Sequence, residues 1–310
     1  MLLQKKAIVP NEKYYRKINE KFIKAPFLVF KEGQSRKKYC ASIVDFDVYF
    51  TNSLYGFYNS GDFRYSKILC LFFNSSFSEY FLSLSTSTWG IERERINLNE
   101  LLTIPCILES LNGEVKEYLS NVFDEIISIK KSNTVSQDIS HLEKEIDQII
   151  YNDVLKLSKD EQIIIQDTLD YSLDLFEKQE KSFAVKHVIE IEHYYTRLTN
   201  DLNNWLEDVD LKASATIYDI DKNCPLYLVK ISFGNEQKPI FKSKENIYNE
   251  LKRLDRKLWK EEAQNLYFRK KLNYYDDNDV YIIKPNQRRF WSQTAAMEDS
   301  RELLIEIGNG

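Results

Sequence analysis

The chain has 310 residues, 43% of them apolar and 29% charged, with a formal net charge of −5; at roughly 150 residues per domain that is room for about two. No run approaches the roughly 18 consecutive apolar residues of a membrane span, and the opening MLLQKKAIVPNEKYYRK is too briefly apolar for a secretory leader, so a cytoplasmic protein without membrane contact is expected. Cys40, Cys70, Cys106 and Cys224 are scattered without CxxC spacing, which argues against a disulfide framework or a zinc site and for reduced thiols.

Residues 1–25 form a polar, basic arm whose apolar anchors are Tyr14, Tyr15, Phe22 and Ile23. Phe27, Leu28, Val29 and Phe30 then read as a buried strand, ended by a turn at Lys31, Glu32 and Gly33. Arg36, Lys37 and Lys38 lie in or beside the next loop. The imperfect alternation over 39–50 predicts a second strand, closed by Thr51, Asn52 and Ser53. Asn52, Ser53 and Tyr55 suit DNA, because an amide pairs bidentately with adenine and hydroxyls meet phosphates. The same residues also suit a side-chain-capped turn.

Apolar residues at spacings of three and four from Ile68 to Leu84 predict an amphipathic helix with one broad buried face, with Asn74, Ser75 and Ser76 as a polar break inside it. Ser85, Thr86, Ser87 and Thr88 end the period, since Ser and Thr compete for backbone hydrogen bonds. Trp89 and Gly90 follow, and Arg93 and Arg95 alternate with Glu92 and Glu94. Hydroxyls, an indole and guanidinium groups are thereby offered in one loop, with Ser85, Ser87, Trp89, Arg93 and Arg95 as candidate DNA contacts. A packing indole and exposed ion pairs account for the same residues without DNA.

Two helices are expected over 113–129 and 136–157, joined as a hairpin. A third starts at Ser158, an N-cap with Glu161 three places on, and runs to about residue 176. A helix over 183–206 precedes strands over 213–220 and 226–233, with Asp221, Lys222 and Asn223 as the hairpin turn. A basic, aromatic helix over 244–271, a strand over 279–284 and a helix over 292–307 complete the chain. Lys284, Asn286, Arg288 and Arg289, beside Phe290 and Trp291, make a second basic and aromatic patch that either grips phosphate or anchors the last helix.

Segregated strands and helices place the chain in the α+β class, in three regions: 1–110, 111–182 and 183–310. Their net charges are +4, −8 and −1, so only the first is basic. A locally basic face on an acidic chain suits DNA contact shared with a partner that neutralises most of the phosphates.

The stretch FNSSFSEYFLSLSTSTWGIERERINLNELLTIPCI resembles part of the target recognition domain that follows the catalytic domain in adenine-N6 DNA methyltransferases of restriction-modification systems. Upstream, APFLVFKEGQSRKKYCASIVDFDVYFTNSLYGFY is similar to its first strands; downstream, HLEKEIDQIIYNDVLKLSKDEQIIIQDTL resembles its closing helical segment. The resemblance covers about residues 25–180. VYIIKPNQRRFWSQTAAMEDSRELLIEI resembles a C-terminal extension on methylase-associated chains. The resemblance implies a mixed sheet-and-helix recognition domain, a helical hairpin spacer that docks a partner, and a small C-terminal α+β domain. It also implies double-stranded DNA and a catalytic methyltransferase subunit as partners, with a nuclease or helicase of the same system as a further one.

Methylation itself needs a pocket for S-adenosylmethionine and an Asn or Asp followed by Pro-Pro and an aromatic to hold the flipped base. Asn223, Cys224, Pro225, Leu226 and Tyr227 lack the second proline, and the sole GxG is Gly308-Asn309-Gly310. S-adenosylmethionine is therefore expected in the partner and no cofactor in this chain, and no Walker loop points to nucleotide hydrolysis. Glu190, Glu192 and His193 are the nearest approach to a metal cluster, yet their spacing fits a solvated helix face. The reading is a non-catalytic specificity subunit. Two others stay open: an interaction subunit of a defence complex that does not read DNA, and a nuclease or toxin.

Overall fold

A computed structural model describes residues 24–33, 40–50, 53–58, 61–87, 95–132, 138–236, 238–261 and 271–308, with backbone alone for 258–261. The chain is α+β and divides into two compact units, residues 1–165 and 166–310. Among the described residues no helix is long and apolar enough to cross a membrane.

The first unit is built on β1 (Phe27–Lys31), which is flanked by β2 (Ala41–Val44) and β3 (Leu54–Phe57), both antiparallel to it. Phe27, Leu28, Val29 and Phe30 are all buried, as a central strand covered on both faces requires. Each such side chain contributes roughly 1.5–3 kcal/mol of burial. The second strand is shorter than the alternation over 39–50 predicts, and β3 occupies residues read from sequence only as a turn and its flank.

The helix expected over 68–84 is two helices, α1 (Phe63–Phe73) and α2 (Ser76–Ser85). Asn74 and Ser75 break it because both side chains are engaged with backbone. The Asn74 amide oxygen accepts from the Cys40 and Ala41 N–H groups at 2.9 and 3.0 Å, and its nitrogen donates to the Ala41 carbonyl at 2.9 Å. It thus extends the edge of β2. Ser75 caps α2 by accepting from the Ser78 N–H at 3.3 Å.

A short helix, α3 (Leu98–Leu101), precedes α4 (Gly113–Lys131), which packs on α1 and is capped by Asn112. α5 (Ser140–Ile149) runs on into a π-helical turn, Ile150–Val154. The Asp147 carboxylate in α5 accepts from the Ser76 backbone N–H at 2.9 Å and from the Ser76 hydroxyl at 2.5 Å. The expected Ser158–Glu161 cap is present: Glu161 accepts from the Ser158 N–H at 2.7 Å, and its own N–H donates to the Ser158 hydroxyl at 3.3 Å. α6 (Lys159–Asp167) follows. Helices read from sequence as a separate spacer therefore belong, up to residue 165, to the same compact unit as the sheet.

In the second unit a π-helical stretch (Thr168–Leu173) and α7 (Asp174–Lys178) lead to α8 (Glu192–Trp205), shorter than the 183–206 helix expected. The sheet has the order β6-β4-β5-β8-β7. β4 (Lys212–Ile217) pairs antiparallel with β5 (Leu226–Gly234) as the expected hairpin, and a two-residue β6 (Phe241–Lys242) lies parallel to β4. After α9 (Ile247–Glu261), β7 (Leu272–Asp276) and β8 (Asp279–Pro285) form a second hairpin. Its turn holds Asp277 at φ 53°, a left-handed position that Asp tolerates better than most residues. The final helix is α10 (Gln293–Gly308).

The face of β8 carrying Tyr281 meets α9: Arg253 donates to its hydroxyl at 2.7 Å and sits 5.3 Å from its ring. Lys284, an odd number of residues along, points to the other face. There Trp291 packs edge-on to Tyr194 of α8 and Tyr227 of β5, with ring centroids 4.9 and 5.2 Å apart.

Candidate nucleic-acid interface

The C-terminal end of β1 gathers three segments that are distant in sequence. Lys31 donates its N–H to the Cys40 carbonyl at 2.8 Å, which joins the residues on either side of 34–39. Glu32 donates to the Ser53 carbonyl and accepts from the Ile96 N–H, both at 2.9 Å. Gly33 pairs with Arg95 in an isolated antiparallel bridge. The chain on either side of 34–39, the residue after 51–52 and the residue after 88–94 thus meet at one end of the small sheet.

Tyr55 reinforces that meeting point by donating its hydroxyl to the Ile96 carbonyl at 3.0 Å. Burial, then the nearby Glu32 carboxylate, raise its pKa, which keeps the phenol a donor. Arg95 leaves its side chain 52% exposed, with the Glu32 carboxylate 3.9 Å from its guanidinium. That separation and exposure give an ion pair of small energetic weight.

The other flank of the 88–94 segment is held by Glu100. One oxygen accepts the Ser87 N–H and hydroxyl, and the other accepts the Asn97 N–H at 2.9 Å. Led by the Ser87 N–H, these bonds hold the Glu100 carboxyl below its ordinary pKa. Sequence reasoning passed over Glu100, although Asn97 followed three places on by Glu100 matches half of the capping-box pattern. Asn74 was passed over as well, being read as a break rather than as the bond to β2.

The candidates from the first 110 residues fall into three groups. Arg36, Lys37, Lys38, Asn52, Trp89 and Arg93 lie outside the described residues. Ser53, Tyr55, Ser87 and Arg95 are brought to the site, with the Tyr55 and Ser87 hydroxyls occupied internally. Ser85 sits at the end of α2 and donates its hydroxyl to the Phe81 carbonyl at 2.7 Å, a helix-terminal bond.

The second basic patch is corrected in part. Lys284 and Asn286 are 4% and 1% exposed and cannot reach a phosphate. Lys284 pairs with Asp299, donates to the Phe290 carbonyl at 3.0 Å, and lies over the Tyr194 and Trp291 rings. Burial, which outweighs the Asp299 carboxylate, holds its pKa below the ordinary lysine value. Asn286 donates to the carbonyls of Asp221 and Cys224, each at 3.0 Å, and accepts from the Val188 N–H at 3.2 Å. The signal was available: Lys284 follows Val280 and Ile282 at the two-residue period of an inward face. Arg288 stacks 3.8 Å from the Phe183 ring centroid and Arg289 4.6 Å from that of Phe290, both half-buried.

All four cysteines are free. Burial pushes Cys40, Cys70 and Cys106 up to about 12, so their thiolates are scarce near neutrality. Among the described residues no three His, Cys, Asp or Glu side chains group to hold a metal ion. No protein-family model, curated protein or solved structure matches the chain.

Proposed function

We propose that this chain reads duplex DNA as the specificity subunit of a separately encoded adenine-N6 DNA methyltransferase in a restriction-modification or related anti-phage system. The observation that supports the reading is the convergence at Lys31, Glu32 and Gly33 of Cys40, Ser53, Arg95 and Ile96, residues that flank sequence segments rich in Arg, Lys, Asn, Ser and Trp. Base readout needs several short polar segments held at one place, because phosphate contacts set position while base edges set specificity. The partner supplies S-adenosylmethionine and the pocket for the flipped base. The cytoplasm, where DNA and methyl donor meet, is the proposed compartment.

A second reading has its own support. Leu84 in α2, Leu98 in α3 and Leu102 just after α3 are 64%, 41% and 63% exposed on the helices that flank the 88–94 segment, and exposed leucines favour protein contact. In that reading the chain is an interaction subunit that does not touch bases.

Co-expression with the methyltransferase that the specificity reading expects to be encoded beside it separates the two. The specificity reading expects adenine methylation at a defined sequence that needs this chain. Methylation equally specific in its absence would leave the interaction reading.

A further inference from the structure

In the second unit, α8 ends with an indole turned out into water. Leu202 and Leu206 are buried on its inner face, yet Trp205 between them is 74% exposed and Val209 50%. The corner is ordered by its own backbone: Leu206 donates to the Leu202 carbonyl at 3.0 Å and Val209 to the Leu206 carbonyl at 3.1 Å. The exposure therefore belongs to a formed turn.

Glu207, Asp208 and Asp210 follow Trp205 closely in the chain, all exposed, and none makes an ion pair among the described residues. They follow a helix C-terminus, where the partial negative charge of the helix disfavours anions. The fold thus keeps a large apolar ring and three carboxylates at one corner against both hydrophobic and helix-dipole preference, and uses none of them internally.

We propose that this corner docks a cationic, Lys- or Arg-bearing peptide segment of a partner protein. The indole face receives an ammonium or guanidinium group in a cation–π contact. The carboxylates pair with flanking basic residues, and Val209 adds apolar contact. Exposed tryptophan is the side chain that most often dominates such interfaces when covered. The same three carboxylates repel phosphate, so the surface suits a basic protein segment and not nucleic acid. The proposal is independent of the DNA-reading assignment.

The test is selection from a displayed library of random peptides on the full chain, with selected peptides resynthesised for affinity measurement. The expected result is enrichment of peptides rich in Lys or Arg, with affinity that falls as salt rises. Trp205→Ala should weaken them by about tenfold or more, and so should Glu207→Gln, Asp208→Asn and Asp210→Asn combined. All four side chains are exposed, so an unchanged urea midpoint checks that these variants fold. Absence of enrichment, enrichment of acidic or neutral peptides, or equal affinity for the Trp205→Ala variant would each overturn the proposal.

Discussion

Glu100 accepts both the backbone N–H and the hydroxyl of Ser87, at 3.0 and 2.7 Å. Because its second oxygen takes the Asn97 N–H, one carboxylate ties the chain before the 88–94 segment to the chain after it. Glu100→Ala should cost about 1 kcal/mol of stability, as the loss of a helix-end cap does, read from urea unfolding. It should also weaken DNA binding, whereas Ser85→Ala, at a helix-terminal bond, should leave binding unchanged.

The same carboxylate predicts a pH dependence with a definite sign. Its folded pKa lies below the ordinary value of 4.5, so its contribution is fully present above 4.5 and is lost as pH falls through the lowered folded value. Glu250, held down mainly by its bond to Arg253, and Asp276, held down mainly by Lys257, act in the same direction in the second unit. Chemical unfolding as a function of pH should show stability falling below about pH 4.5, and less steeply in Glu250→Gln.

Asn74→Ala should be among the more damaging polar substitutions in the first unit. It removes three hydrogen bonds to Cys40 and Ala41, at the start of β2, at once and leaves part-buried backbone groups unpaired, a loss of about 2–4 kcal/mol. Asn74→Asp, which keeps the acceptor and loses the donor, should fall between. Equal stability of Asn74→Ala and the parent would mean that water replaces the amide at no cost.

The buried Lys284–Asp299 pair separates the cost of breaking a charge pair from the worth of keeping it. Asp299 also receives bonds from Tyr194 and, at 3.0 Å, from Lys271. Asp299→Ala strands a buried ammonium and should cost about 3–5 kcal/mol, whereas replacing both partners by Met and Leu should cost less, because what then remains buried without its acceptor is the neutral Tyr194 hydroxyl and not an ammonium. Thermal or urea unfolding of the three proteins checks the order.

These residues also show how far the fold could be read in advance. The strand at Phe27–Phe30, the Ser158–Glu161 cap and the β4–β5 hairpin follow from local periodicity and turn chemistry, which a sequence displays directly. The break at Asn74 and the inward position of Lys284 depend on partners more than ten residues away: a strand edge for one, a carboxylate on α10 for the other. β3 and β7 are short strands whose assignment rests on pairing with β1 and β8 rather than on their own alternation. At the candidate site the residue types were legible but the convergence was not, because it is made by backbone bonds from Glu32 to Ser53 and Ile96 that carry no side-chain signature.

The most direct measurement is equilibrium binding of the purified chain, with the proposed methyltransferase partner, to duplexes with and without the sequence that the pair is proposed to methylate, over a range of salt. Parent protein is compared with the Arg93→Gln and Arg95→Gln double variant. The account predicts that the variant binds the specific duplex about tenfold or more weakly, with the preference between duplexes reduced, as loss of a base-edge contact of roughly 1–3 kcal/mol requires. Unchanged affinity, unchanged preference and an unchanged salt slope would contradict it and place this end of the sheet away from DNA.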